Sequence, residues 1–178
     1  MGGTPKALLE LGYQARREDR LAEAKACFAE AADLCRAAGD GAMLARALTG
    51  LGQIERDLHE TAAALGHYED AVVIYRTLDD PLVLAHTVRH VGDILRNQGK
   101  LELAAPCYDE ALEIYRRHEE TPPLDLANAI RGYALLKASI GDKEEAAKLW
   151  QEAGVLYAAV GVEVGVAESE RQVAQLTG

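Results

Sequence analysis

The stretch HYEDAVVIYRT at residues 67–77 returns, about forty positions on, as PCYDEALEIYRR at residues 106–117. Tyr68, Ala71 and Tyr75 of the first copy fall on Tyr108, Ala111 and Tyr115 of the second. Spacings of three and four put such residues on one face of a helix. Self-similarity at a fixed period of this size marks a repeat architecture, in which one short unit cannot bury its apolar face alone and must stack on the next.

Working outward, the whole 178-residue chain aligns as four units spaced 40, 40 and 42 residues apart. Their first halves carry Leu11-Gly12, Leu51-Gly52, Val91-Gly92 and Tyr133-Ala134. Alanines follow at Ala24, Ala64, Ala104 and Ala146, then a large aromatic at Phe28, Tyr68, Tyr108 and Trp150. A second alanine column stands at Ala31, Ala71, Ala111 and Ala153, and a second, mostly large one at Cys35, Tyr75, Tyr115 and Tyr157. Small residues let two antiparallel helices approach, and the aromatic fills the space they leave. Tyr108→Ala is therefore expected to cost roughly 3–5 kcal/mol as a large-to-small core change.

Boundary signals agree with helix pairs. Thr4-Pro5, Asp80-Pro81 and Thr121-Pro122 each read as a capping residue before a proline at the first helical position. Gly39-Asp40 and Gly141-Asp142 read as a stop followed by a start, and Asp142 to Glu145 has capping-box spacing. The expected pairs occupy 5–18 with 20–38, 43–58 with 61–78, 82–98 with 101–117, and 123–140 with 143–160. A ninth helix is expected at 163–176, with Ala167 in the column of Ala45, Ala85 and Ala127. It carries Glu170 where its predecessors have Leu48, Val88 and Ile130, as suits the soluble end of an array. The chain thus reads as one domain over 1–178, with repeats at 5–38, 43–78, 82–117 and 123–160 and a capping helix.

Composition narrows the function. The chain is 49% hydrophobic, 27% charged and only 5% aromatic, which favours a helical core over a sheet. Net charge is −10, unsuited to general nucleic-acid binding. Cys27, Cys35 and Cys107 are widely spaced and form no CxxC, the usage of a reduced protein. No stretch suits a signal peptide or a membrane span, so the expectation is a soluble, cytoplasmic protein. No phosphate loop or nucleophile motif is present, so no enzyme and no cofactor are expected.

The Leu-Gly, alanine, aromatic and alanine columns resemble the tetratricopeptide repeat over nearly the entire chain. The period is longer than the usual one of about 34. It is similar to that of the long-helix subgroup seen in kinesin light chains, mitotic spindle adaptors and bacterial peptide-sensing regulators. Trp150, Ala134 and Pro106 depart from the pattern, and Pro106 is expected to kink its helix or shift its start. The resemblance implies an all-α, right-handed superhelix (an α-solenoid) of four helix pairs plus the capping helix, whose first helices line a concave groove. It implies an adaptor or scaffold that binds peptides or helices there. The family's chaperone-tail clamp falls on Leu9, Tyr13, Gly50, His86 and His90, none of which keeps the clamp's residue.

Charge is segregated. Taken over 5–18, 45–58, 85–98 and 127–140, the first helices hold nine Lys or Arg against five Asp or Glu, and the rest of the chain ten against twenty-four. Helical spacing directs Lys6, Leu9, Tyr13, Arg16 and Arg17, then Arg46, Thr49, Gln53, Arg56 and Asp57, toward the groove. In the third unit His86, Arg89, His90, Asp93, Arg96 and Asn97 follow, and in the fourth Asn128, Arg131, Leu135, Ala138 and Ser139. Planar guanidinium forks suit carboxylates, so the expected partner is an acidic peptide or a free C-terminal segment. A bland alternative is that these arginines pair with neighbouring acids. His86, His90 and Asp93 share a helix face but read as a surface group with no metal. A peptide-sensing regulator and a homo-oligomeric scaffold are the alternatives to the adaptor, with monomer and homodimer both open.

Overall fold

The computed structural model describes residues 3–178. Among these residues it contains nine helices and no strand: α1 (Pro5–Arg17), α2 (Leu21–Ala38), α3 (Gly41–Asp57), α4 (Thr61–Tyr75), α5 (Pro81–Asn97), α6 (Leu101–Arg117), α7 (Pro123–Ser139), α8 (Lys143–Ala159) and α9 (Glu163–Thr177). No described helix is long and apolar enough to cross a membrane.

Local chemistry sets the boundaries. Thr4 Oγ1 accepts from the Ala7 amide, with Pro5 at the first helical position. Asp40, Asp80 and Asp142 cap α3, α5 and α8 by accepting from the amides of Met43, Val83 and Glu145. Thr121 does not cap α7. Its hydroxyl donates back to the Tyr115 carbonyl at 2.9 Å, and Pro122 is the residue before the helix. Helix α4 ends at Tyr75, short of the expected 78, because Thr77 Oγ1 donates to the Ile74 carbonyl and draws the chain into a turn. Pro106 neither breaks nor shifts α6. It lies on the exposed face, where solvent can satisfy the carbonyl one turn back. The turn inside each pair needs a positive φ, supplied by Gly99 and Gly141 in the later pairs but by Asp19 and His59 in the earlier ones.

The chain forms two compact units, one ending at Thr87 and one beginning at Val88. In the first, α1 packs on α2 and α3, α2 on α3, and α3 on α4. In the second, α7 packs on α6 and α8, and α8 on α9. The aromatic column is fully buried at Phe28, Tyr68, Tyr108 and Trp150, as are both alanine columns. Two of these rings, Phe28 and Tyr108, each lie between two glycines. A Cβ added at Gly12 would stand 2.8 Å from the Phe28 ring, and one at Gly50 only 2.6 Å from it. Gly132 holds Tyr108 equally closely, with Gly92 on the ring's other edge. The sequence reading identified Gly12, Gly52 and Gly92 as packing positions; Gly50 and Gly132 add a second glycine, from the next first helix. Cys35, Tyr75, Tyr115 and Tyr157 are buried as well.

Candidate functional site

In the first unit, α1, α3, α4 and the start of α5 enclose a half-open cavity of about 560 Å³. Tyr13, Arg46, Thr49 and Gln53 form one wall, and Tyr75, Asp79, Asp80 and His86 the other. Thr49 is buried, and its hydroxyl donates to the Ala45 carbonyl at 2.9 Å and stands 3.4 Å from the Tyr75 hydroxyl. Burial raises the Tyr75 phenol. It also raises that of Tyr13, although the Arg46 guanidinium beside it pulls the other way. Both phenols therefore remain protonated donors at neutral pH.

The cations here are not equivalent. Arg16 Nε donates to Asp57 at 2.9 Å while its Nη1 donates to Gln53 at 3.3 Å. Arg56 lies 3.6 Å from the same Asp57. Arg46 is exposed, and among the described residues no carboxylate forms an ion pair with it. On the opposite wall Asp80 is already engaged as the cap of α5. Arg16 and Arg17 join Tyr13 and Asp57 around a shallower hollow of about 450 Å³. Lys6 is exposed on α1 and lines neither space, and Leu9, expected in the groove, is buried in the core.

The second unit is organised around Asp93. Its carboxylate accepts from Tyr108 Oη at 2.7 Å and from Arg89 Nη1 at 2.8 Å, with His90 Nδ1 at 3.7 Å. Burial alone would raise this carboxyl. Hydrogen bonds and charge from His90, Arg89 and Tyr108 outweigh it and hold it below the usual range. Tyr108 is driven strongly upward by burial and by Asp93, and Arg96 Nε donates to its hydroxyl at 3.2 Å. Tyr115, next to Arg89, is pushed up to about 12 by burial. Arg89 and His90 are thus interior groups, 7% and 6% exposed, and do not offer themselves to a ligand.

Arg131 lays its fork on Glu168 of α9, with N–O distances of 2.7 and 2.8 Å. Asn128 accepts from the Tyr157 hydroxyl at 2.8 Å, and Asn97 is exposed at the end of α5. Glu168, which pairs with Arg131, and Tyr75, Asp79 and Asp80, which line the first unit's cavity, were not assigned to a site by the sequence reading. One signal was available: Arg16–Asp57 and Arg131–Glu168 join successive first helices at separations of 41 and 37 residues, close to one period. Glu55 shows no such pattern. It is 3% exposed, with His67 Nδ1 at 2.6 Å and Lys25 Nζ at 3.4 Å.

Among the described residues no group of three His, Cys, Asp or Glu side chains is placed to hold a metal. Cys27 and Cys35 are raised above the ordinary thiol range, chiefly by burial.

Paired helices, small residues facing a buried aromatic and a period near forty define a helical-repeat protein. Family models described as tetratricopeptide repeat match residues 3–77 and 84–121, and the chain belongs to the tetratricopeptide-repeat family. A comparison with curated proteins finds no match. Repeats of this family are generally protein–protein interaction modules without catalytic activity.

Proposed function

We propose that the chain is an adaptor that holds an acidic peptide, or a C-terminal segment ending in a free carboxylate, against the Arg46 wall of the first unit's cavity. The observation that carries this reading is the contrast among the arginines. Asp57, Asp93 and Glu168 already hold Arg16, Arg89 and Arg131, whereas Arg46 borders a cavity with no acid bound to it. Tyr13, Thr49 and Gln53 supply neutral polar groups beside it, so a carboxylate there finds a fork and a protonated phenol together. In the second unit Arg89 and Arg131 are held by the protein's own acids, Asp93 and Glu168.

The test is fluorescence anisotropy with one labelled acidic octapeptide in two forms, one ending in a free carboxylate and one in an amide. The wild-type protein should bind an acidic form, and Arg46→Gln should weaken it at least tenfold, the loss of one charge-assisted bond of about 1.5–3 kcal/mol. Higher salt should weaken it further. Equal affinity for a lysine-rich octapeptide, or no effect of Arg46→Gln, would sink the reading.

A further inference from the structure

The second unit carries an apolar groove of about 540 Å³ between α8 and α9. Its floor is Trp150, fully buried, whose indole N–H has no acceptor among the described residues. Val155, 70% exposed, and Ala158 form one side; Val173 and Ala174 form the other, with Glu170 at the edge.

The repeat itself says what shape fits. On the register that aligns Ala45, Ala85, Ala127 and Ala167, residue 170 corresponds to Leu48, Val88 and Ile130, all nearly or fully buried. Residue 174 corresponds to Gly52, Gly92 and Ala134, the small column. Gly52 and Gly92 lie under the second helix of their pair, against Tyr68 and against Cys107 and Tyr108. The glycines of that column face its aromatic, as an added Cβ at Gly52 would stand 2.9 Å from Tyr68. On α9 the same face is bare: Ala167, Glu170 and Ala174 are exposed where their equivalents are covered. The small residue that receives an aromatic has been kept, while an acid has replaced the aliphatic beside it.

We propose that this groove docks an amphipathic helix of a partner protein in the place a fifth second helix would take. The helix presents an aromatic residue, flanked by alanine or another small residue four before and three after, against Ala174. It carries a lysine or arginine beside Glu170, which gives the groove its charge preference. This is helix-in-groove recognition, with register set by the same packing that builds the repeat. The site is separate from the Arg46 cavity.

A labelled peptide with the α2 sequence, residues 21–38, serves as the probe because it contains Ala24, Phe28 and Ala31 at the required spacing. Its cysteines are replaced (Cys27→Ser, Cys35→Ser). Anisotropy against the full chain should give a dissociation constant in the range of about 10–100 μM, as befits a small interface. Peptide Phe28→Ala and protein Ala174→Asp should each weaken binding at least tenfold, while Arg46→Gln leaves it unchanged. A peptide with Glu23→Lys and Glu30→Lys should bind the wild type more tightly, and Glu170→Lys should reverse that order. Circular dichroism on Ala174→Asp checks that α9 remains folded, and Glu170→Lys, an exposed change, reports independently. The proposal is overturned by absence of binding up to roughly 500 μM, by binding that Ala174→Asp does not affect, or by an unchanged order with Glu170→Lys. Self-association of the full chain that Ala174→Asp abolishes would also overturn it, since the groove would then belong to a second copy.

Discussion

Tyr108 is the side chain on which packing and electrostatics converge, and two substitutions separate them. Tyr108→Phe keeps the ring but removes the hydroxyl that donates to Asp93 and accepts from Arg96. Asp93 then keeps Arg89 and His90 but loses its shortest bond, at a cost of about 1.5–3 kcal/mol for a bond to a buried charge. Tyr108→Ala also empties the space between Gly92 and Gly132, whose missing side chains exist to admit that ring, and removes the stacking on Tyr133 at 5.7 Å. The cavity adds about 3–5 kcal/mol, for a combined loss of about 4.5–8 kcal/mol. Urea unfolding followed by Trp150 fluorescence reads the second unit directly, because Trp150 is the only tryptophan and lies in α8. The expected order is wild type, then Phe, then Ala, with the two steps clearly resolved. A loss for Tyr108→Ala no larger than that of a surface change, about 0.5 kcal/mol, would refute the clasped-ring account. Equal losses for Phe and Ala would show that the hydroxyl alone matters.

Arg89→Glu should destabilise the second unit by about 3–5 kcal/mol, because it sets a buried acid against the partly buried Asp93; Arg46→Glu, on an exposed position, should shift stability by about 0.5 kcal/mol or less, both by urea titration. Gly132→Ala should cost about 1–3 kcal/mol, since its Cβ would stand 2.6 Å from the Tyr108 ring and 2.9 Å from Asp93 Oδ1. Gly66→Ala, mid-helix with nothing near it, should instead stabilise by about 0.5–1 kcal/mol, measured as a higher urea midpoint. The depressed carboxyl of Asp93 contributes stability that is complete above the ordinary carboxylate value of about 4 and is lost as pH falls through its lower folded value. Acid titration followed by circular dichroism should show that loss in the wild type. Asp93→Asn should be less stable at neutral pH and show a shallower decline below about pH 4.

The periodic part of this protein was open to reading in one dimension. Helix faces repeat every 3.6 residues and the units every forty, so the columns of Ala24, Phe28, Ala31 and Cys35 and their copies could be read as core before any coordinate existed. All of them are buried. Glycine after Leu11 and Leu51 meant close helix packing, and Phe28 and Tyr68 occupy the space it leaves. Caps at Thr4, Asp40, Asp80 and Asp142 were legible for the same reason, since a cap bonds an amide only three residues away. Thr121 was misread because its competing acceptor, the Tyr115 carbonyl, belongs to the preceding helix.

The candidate site was less legible, because charge does not announce its partner. Counting cations on first helices made Arg16, Arg89, Arg131 and Arg46 look alike. Tertiary contacts separated them by bringing Asp57 and Glu168 from the next first helix onto the first and third, and by burying the second with Asp93. A local rule can state that a residue faces a groove; whether a carboxylate arrives there depends on helices one period away. The sequence by itself determined the repeat, its core and most of its helix ends, because those rest on short-range spacing and on residue size. Only the tertiary structure decided which arginines meet an acid, which tyrosine bonds the partly buried Asp93 and which face of α9 lies bare, because each depends on atoms that packing alone brings together.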